Sequence, residues 1–358
     1  MSNGSPGASP VSVPLYPQYI AGTGYKVGIY VGFAPDSFRP YEFDTGGIGF
    51  WSGYSPQWWP KSSQAQPAVQ NNYASGTTYN GVAVPATVYF ADPSQTRAAL
   101  QGQATVAQIL TATGHKAADW QETIDAGGAP LFKAFYGDFG ASMLAKQGLK
   151  SVLLQLSDGP GNGFAVTLGD FPAQNQAGTG SLQIGLTEQD VAGAANRIPL
   201  TAQAEGPFAQ GVLSIDGTTI NQGGGPGGGA AEPPPVNVLF DSGAPVTHIW
   251  TGPHLPADAL LPYAAGGKVD AKGKGTLAPG HRLTLASGGV TILDFVTGTV
   301  AGQNEVVFSP AAASPGNPGN AEGYVNTGIQ PFFGRTITFY PGTGADGFIA
   351  LSPPVAGG

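Results

Sequence analysis

No stretch of this chain runs far without a glycine, proline, asparagine or aspartate, and that punctuation limits what it can fold into. The segments between the breaks are short and rich in Val, Ile, Thr, Tyr and Phe, residues that suit a pleated, half-buried strand, while the breaks supply turns. Residues 25–31, 82–90, 151–156, 163–168, 181–184, 211–215, 236–240, 282–285, 290–295 and 335–340 therefore read as strands. Helical spacing of apolar residues is confined to 96–111, 117–125 and 140–147, each bounded by Gly, Asp or Pro. Alternation of strand and helix is missing, so the expectation is an all-β body with a few short helices.

Composition sets the scale of that body. The 358 residues include 57 Gly and 32 Pro, yet 41% are apolar and 10% aromatic, which is enough to build a large core. A single core seldom grows beyond ~250–300 residues, so two domains or lobes are expected. The Gly/Pro-rich run at 222–235 reads either as a flexible linker between them or as a long loop at the tip of a hairpin. Only 10% of residues are charged and the net charge is -8, with no cluster of Lys and Arg to match nucleic-acid phosphates. No apolar run is long enough to span a membrane. Cysteine is absent, which removes disulfides, thiol catalysis and Cys-ligated zinc together. Residues 1–14 lack the basic and apolar regions of an export signal, and the expectation is a chain trimmed of that segment.

Two segments resemble each other: Glu42-Phe-Asp-Thr-Gly-Gly-Ile-Gly-Phe-Trp51 and Leu239-Phe-Asp-Ser-Gly-Ala-Pro-Val-Thr-His-Ile-Trp250. Each runs from an apolar strand through Asp-hydroxyl-Gly and back to an apolar strand. One copy describes an ordinary turn. Two copies in corresponding halves bring a pair of carboxylates, Asp44 and Asp241, into consideration as one unit.

On these residues the chain resembles the pepsin-like aspartic endopeptidases, and the likeness runs in order along nearly its whole length. Residues 13–15 and 25–32 resemble the opening strands, and Tyr73-Ala-Ser-Gly-Thr-Thr-Tyr-Asn-Gly81 the flap hairpin. Phe135-Tyr-Gly-Asp-Phe-Gly140 is similar to the segment threading beneath the first Asp. Residues 164–168 and 180–190 resemble the end of the first lobe, 198–201 and 211–217 the crossing into the second, and 328–340 with 347–351 the closing strands.

The resemblance implies a two-lobed β fold, residues 1–192 and 193–358, with the 222–235 run a hairpin loop of the second lobe. It implies hydrolysis of extended polypeptides by water held between Asp44 and Asp241. The two would share one proton, so that one takes a proton from the water while the other gives one to the carbonyl. Thr45 and Ser242 would brace the two loops, with Gly46 and Gly243 allowing close approach. Tyr73, Ser75, Gly76 and Tyr79 would form the flap over substrate. It further implies no cofactor and no metal, a monomer, sensitivity to pepstatin-type peptides, and work outside the cytoplasm, secreted or at the cell surface. A bacterial branch is expected, similar to the aspartic protease domains of Gly-rich mycobacterial surface proteins.

Four positions depart from the family pattern. Gly47 and Ala244 stand where Ser or Thr usually follows Asp-Thr-Gly, and Asn326-Thr327-Gly328 replaces an apolar pair before Gly. The departures leave room for an alternative, a pepsin-fold binding module with little hydrolysis. A Gly/Pro-rich structural protein would show longer repeats and no paired motif. The four histidines, His115, His248, His254 and His281, have no zinc-binding spacing, and no Gly-x-Ser-x-Gly marks a serine hydrolase. Trp51, Trp58 and Trp59 are candidates for either cleft wall or core. Asp170, Asp190, Asp216 and Asp346 read as turn residues.

Overall fold

In the computed structural model, residues 9–59, 66–73, 75–114, 119–156, 162–203, 206–221, 234–298, 303–310, 323–342 and 346–354 are described. The fold is mostly β, with three short α-helices among these residues, Trp120–Asp125, Glu188–Gly193 and Ala257–Leu260. Strands form two large sheets, one of 13 strands and one of 10.

Each half repeats one local arrangement. In the first half, strand Ser37–Asp44 leads into the Asp44 loop and Phe50–Gly53 leads out of it. Strand Gly137–Gly140 threads between them, parallel to the first, with Asp44 opposite Gly140, and antiparallel to the second, with Phe50 opposite Phe139. In the second half, Val236–Leu239 leads to Asp241 and Thr247–Thr251 leads away. Tyr324–Asn326 threads between these in the same sense, pairing Leu239 with Asn326 and His248 with Asn326. Parallel pairing of this kind needs a long excursion between partners, which is why residues nearly a hundred positions apart support each Asp.

The halves are joined by shared strands. Arg335–Tyr340, close to the end of the chain, pairs with Phe164–Leu168, and Arg197–Pro199 pairs with Phe348–Leu351. These strands continue through Gly180–Ile184 to Val11–Ile20 and Gly24–Ala34, so first-half and second-half residues share one sheet. Alternate residues along Gly24–Ala34, among them Val27, Ile29 and Val31, are fully enclosed, as a strand facing a core requires.

Three segments differ from their sequence reading. Residues 96–111 look helical because Ala, Gln and Leu dominate, but Ala98–Thr113 is a strand paired along its length with Thr78–Ala91. Ladder bonds and burial of Val106 and Ile109 override the modest helix preference of those residues. The 140–147 segment is not a helix either. The Ala141 N–H donates to the Asp44 carbonyl at 2.7 Å and the Ser142 N–H to the Gly47 carbonyl at 3.0 Å, so these amides serve the first Asp loop. Residues 151–156 hold no strand; Val152–Leu154 is a 3-10 turn whose start is capped by the Ser151 hydroxyl accepting from the Leu153 N–H. A short buried apolar run does not reveal its own period. The expected helix at 117–125 is realised as Trp120–Asp125. Most of the 222–235 loop, along with His115, lies outside the described residues.

The first loop rests on an aromatic floor. Phe139 is fully buried, its ring 6.1 Å from Phe43 and 5.1 Å from Phe50, with Phe90 edge-on at 5.7 Å. Truncating Phe139 to Ala should cost ~3–5 kcal/mol of unfolding free energy, read by denaturant titration.

Candidate active site

The two Asp loops are tied together by their hydroxyl residues. The Thr45 N–H donates to Ser242 Oγ at 3.1 Å, and the Ser242 N–H donates to Thr45 Oγ1 at 3.0 Å. Each hydroxyl then donates across the junction, Thr45 Oγ1 to the Phe240 carbonyl at 2.8 Å and Ser242 Oγ to the Phe43 carbonyl at 2.9 Å. Both side chains are buried, so each hydroxyl is used once as donor and once as acceptor, as interior polar groups require.

This exchange sets the carboxyls face to face. A Cβ placed on Gly46 would lie 2.5 Å from Asp241 Cγ, and one on Gly243 would lie 2.3 Å from Asp44 Cγ. Each carboxyl thus rests on the other loop's glycine, where no side chain fits. Within its own loop, Asp44 Oδ1 accepts from the Gly46 N–H at 2.8 Å. Asp241 Oδ1 accepts from the N–H groups of Gly243 at 2.8 Å and Ala244 at 2.9 Å. Burial drives the Asp44 carboxyl well above the usual carboxylate range, helped by the charges of Asp241, Asp138 and Glu42 and by a hydrogen bond with Asp241.

Four further polar residues complete the site, and none was singled out as functional from the sequence except Asn326, noted as a departure. Lys26 and Glu42 form a buried ion pair at 2.5 Å, and Lys26 Nζ also donates to the Gly243 carbonyl. Burial works against the Lys26 charge, but Glu42, by charge and hydrogen bond, and then Asp44 and Asp241 outweigh it and raise its pKa. Asp138 is 2% exposed; its Oδ2 accepts from the Tyr73 hydroxyl and its Oδ1 has no protein partner. Asn326 Nδ2 donates to Asp241 Oδ2 at 2.5 Å, while Asn326 Oδ1 accepts from the Gly328 N–H at 2.9 Å. The signal in the sequence was available. Lys26, Glu42 and Asp138 are charges set inside apolar strand runs of a chain that is only 10% charged, and buried charge needs a partner or a purpose.

Two of the family departures are explained by these residues. A Cβ at Gly47 would lie 2.8 Å from Asp138 Oδ2 and 2.9 Å from Asp44 Oδ2, so Asp138 occupies the space a side chain at 47 would need. Asn326 gives Asp241 a direct amide donor in a segment that is apolar in the family.

Above the carboxyls, strands Ala68–Asn72 and Thr78–Ala91 form a hairpin whose tip holds Tyr73, Ser75 and Gly76. The tip is closed by the Tyr73 N–H donating to the Thr77 carbonyl at 2.8 Å and the Gly76 N–H donating to the Tyr73 carbonyl at 2.9 Å, with Gly76 at φ 82. Ser75 and Gly76 are exposed, while Tyr73 points inward to Asp138. Tyr79 is buried beneath it, packed on Tyr73, Trp51 and Trp120. Under the hairpin lies a cleft of about 470 Å³ that Asp44, Asp241, Asp138, Tyr73, Tyr79 and Phe132 help to line.

The opposite wall of the cleft carries His248 stacked on Trp250 with ring centres 3.9 Å apart. Burial, assisted by Lys274, lowers the His248 pKa to about 4. Trp51, Trp58 and Trp59 all pack into the core; Trp59 stacks on Phe33 at 4.0 Å and the Arg39 guanidinium lies 3.8 Å over Trp58. Asp216 sits in a turn and accepts from the Arg282 N–H at 2.8 Å, whereas Asp190, expected in a turn, lies in the helix Glu188–Gly193 and closes its capping box by accepting from the Thr187 N–H at 2.8 Å. Among the described residues no group of three or more His, Cys, Asp or Glu is placed to hold a metal ion, and no helix is long and apolar enough to cross a membrane.

With this geometry established, the chain can be set beside known proteins. No family model matches it, and no curated protein matches it. Among solved structures it is similar to the aspartic proteinase from Irpex lacteus, at 15% identity and a TM-score of 0.56, over 97% of this chain and 99% of that one. It is also similar to basic 7S globulin from soybean, at 12% identity and a TM-score of 0.57, over 97% of this chain and 98% of that one. The fold is therefore pepsin-like. One neighbour is named a proteinase and the other a globulin, so fold alone does not decide activity.

Two outcomes follow from the site. Gly47→Ser forces Asp138 or Asp44 aside and should cost ~1–3 kcal/mol of stability; in an Asp138→Ala background the same change should cost less, a coupling read by a double-mutant cycle. The pH dependence has a definite sign. Asp44 and Asp138 are both raised by burial first, so the folded state binds protons more tightly there than the unfolded chain. That contribution is complete below the ordinary carboxylate range, ~4, and fades as pH rises through the raised values. Asp92, Asp190, Asp216, Asp270 and Asp294 are lowered and act oppositely, losing stability as pH falls. Melting temperature should accordingly peak in mild acid and be lower at about pH 8 than at about pH 5, with the difference reduced in Asp44→Asn.

Proposed function

We propose that this chain is an aspartic endopeptidase that hydrolyses peptide bonds in extended polypeptides. The observation that carries the reading is the pair of carboxyls, each seated on the other loop's glycine and held there by the Thr45 and Ser242 exchange. A water between them loses a proton to the ionised member as its oxygen bonds to the peptide carbonyl carbon, while the protonated member gives its proton to the carbonyl oxygen. Collapse of that adduct breaks the C–N bond, with a proton passing to the departing amine, and leaves a carboxylic acid and an amine. The cleft under the Tyr73 hairpin accommodates an extended chain and shields the reaction from bulk water. On this reading the protein is divided into two lobes near residue 192 and acts as a monomer. It is inhibited by pepstatin-type peptides and works outside the cytoplasm, akin to the protease domains of Gly-rich mycobacterial surface proteins.

A second reading is a binding module on the same fold, favoured by the similarity to a globulin. Incubation with a denatured general substrate across about pH 3 to 7 separates the two. Asp44→Asn and Asp241→Asn should each lower kcat by ~10²-fold or more, the low end of what a positioned acid or base contributes. Cleavage that survives either substitution rules out the pair as the catalyst. A folded protein that cleaves nothing at any pH is a binding module.

A further inference from the structure

We propose that Asp138 is a third carboxyl of this site, a positioning residue that extends toward neutral pH the range over which Asp44 and Asp241 keep their shared proton. The activity arm of this inference rests on the endopeptidase reading above.

Asp138 is buried, and the cation that acts on its charge, Lys26, is already bonded to Glu42. Asp138 lies on the threading strand Gly137–Gly140, in register with Glu42 on one side and Trp51 on the other. Its Oδ2 and Asp44 Oδ2 approach the same face of Gly47, 2.8 and 2.9 Å from where a Cβ would sit. The Tyr73 hydroxyl holds that oxygen from above, and burial keeps the phenol in its protonated, donating form. The other oxygen, Oδ1, is buried without a protein partner although the residue borders the cleft.

The charges facing Asp138 are Glu42 from the adjacent strand, Lys26 from the strand beyond it, and Asp44 and Asp241 from the loops, with the phenols of Tyr73 and Tyr79 from the hairpin. Lys26 is the one cation among them, and it is bonded to Glu42. Three carboxyls, Asp44, Asp138 and Asp241, therefore line one cleft around a lysine already committed to Glu42. They cannot all ionise, and the protons they hold belong to the group. Burial and the Glu42 charge raise Asp138, against smaller opposing effects of Tyr73 and Lys26. When Asp138 does ionise, its negative charge sits beside Asp44 and makes the last proton of the pair harder to remove. The pair then keeps its one-proton form at a pH where two isolated carboxyls would have lost it. The same reasoning accounts for Gly47, since any side chain there would displace Asp138.

Asp138→Asn keeps the shape and removes the titration. The alkaline limb of the kcat/KM profile should move to lower pH by about one unit, the low end of what a neighbouring charge produces. A loss of rate at every pH with the limb unmoved, or a limb moved upward, makes Asp138 structural and overturns the inference. A second measurement on the intact chain needs no turnover. With Asp side-chain carboxyls labelled with carbon-13, Asp138 and Asp44 should titrate with shared inflections, and Asp44→Asn should move the Asp138 inflection to lower pH. A single Asp138 step in the ordinary range, unmoved by Asp44→Asn, also overturns it. Linked titration in a protein that cleaves nothing upholds the coupling and rejects the hydrolytic reading.

Discussion

Everything at the centre of this protein depends on four hydrogen bonds exchanged between Thr45 and Ser242 and the backbone of the opposite loop. The two residues are 197 positions apart and fully enclosed, so breaking one bond would strand a buried donor or acceptor. Because the bonds are reciprocal, neither loop can shift without the other, and the distance between Asp44 and Asp241 is fixed by backbone rather than by flexible side chains. Gly46 and Gly243 then become necessary, since each carries the opposing carboxyl where a Cβ would be. The threading strands and the aromatic floor under Phe139 support loops whose geometry is already set by that exchange.

The second constraint is electrostatic. Glu42, Asp44 and Asp138 are buried around a single buried lysine, close to Asp241. Burial makes each negative charge expensive, and proximity makes the second more so than the first. The site responds in two ways: Lys26 neutralises Glu42 and reaches the second loop through the Gly243 carbonyl, while Asp44 and Asp138 are pushed toward their protonated forms. The hairpin is wired into this balance, because the Tyr73 hydroxyl at its tip is bonded to a carboxyl of the cluster.

Legibility in the sequence followed a physical divide. Strand texture along residues 25–31 or 335–340 was readable because burial on a pleated face demands β-branched and aromatic residues locally. The strand Ala98–Thr113 was misread because its Ala, Gln and Leu content carries little β preference; its conformation comes from pairing with Thr78–Ala91. The paired Asp motifs stood out because both loops need the same short run of residue types. Glu42 and Asp138 carry a weaker signal, since a charge inside an apolar run shows that it needs a partner but not which groups it meets once it lies 6% or 2% exposed. Gly47 read as a missing hydroxyl, and only the position of Asp138 shows it as vacated space.

By itself, then, the sequence determined the strand-rich character of the chain, the presence of two matched Asp loops and the absence of thiol chemistry, all of which depend on residue type and short spacing. Tertiary structure decided which distant residues meet: Thr45 with Ser242, Lys26 with Glu42, Asn326 with Asp241, and Asp138 with Tyr73 and Asp44. Those encounters set the dielectric surroundings and the charge of each group, and proton affinity is a property of surroundings that a linear chain does not carry.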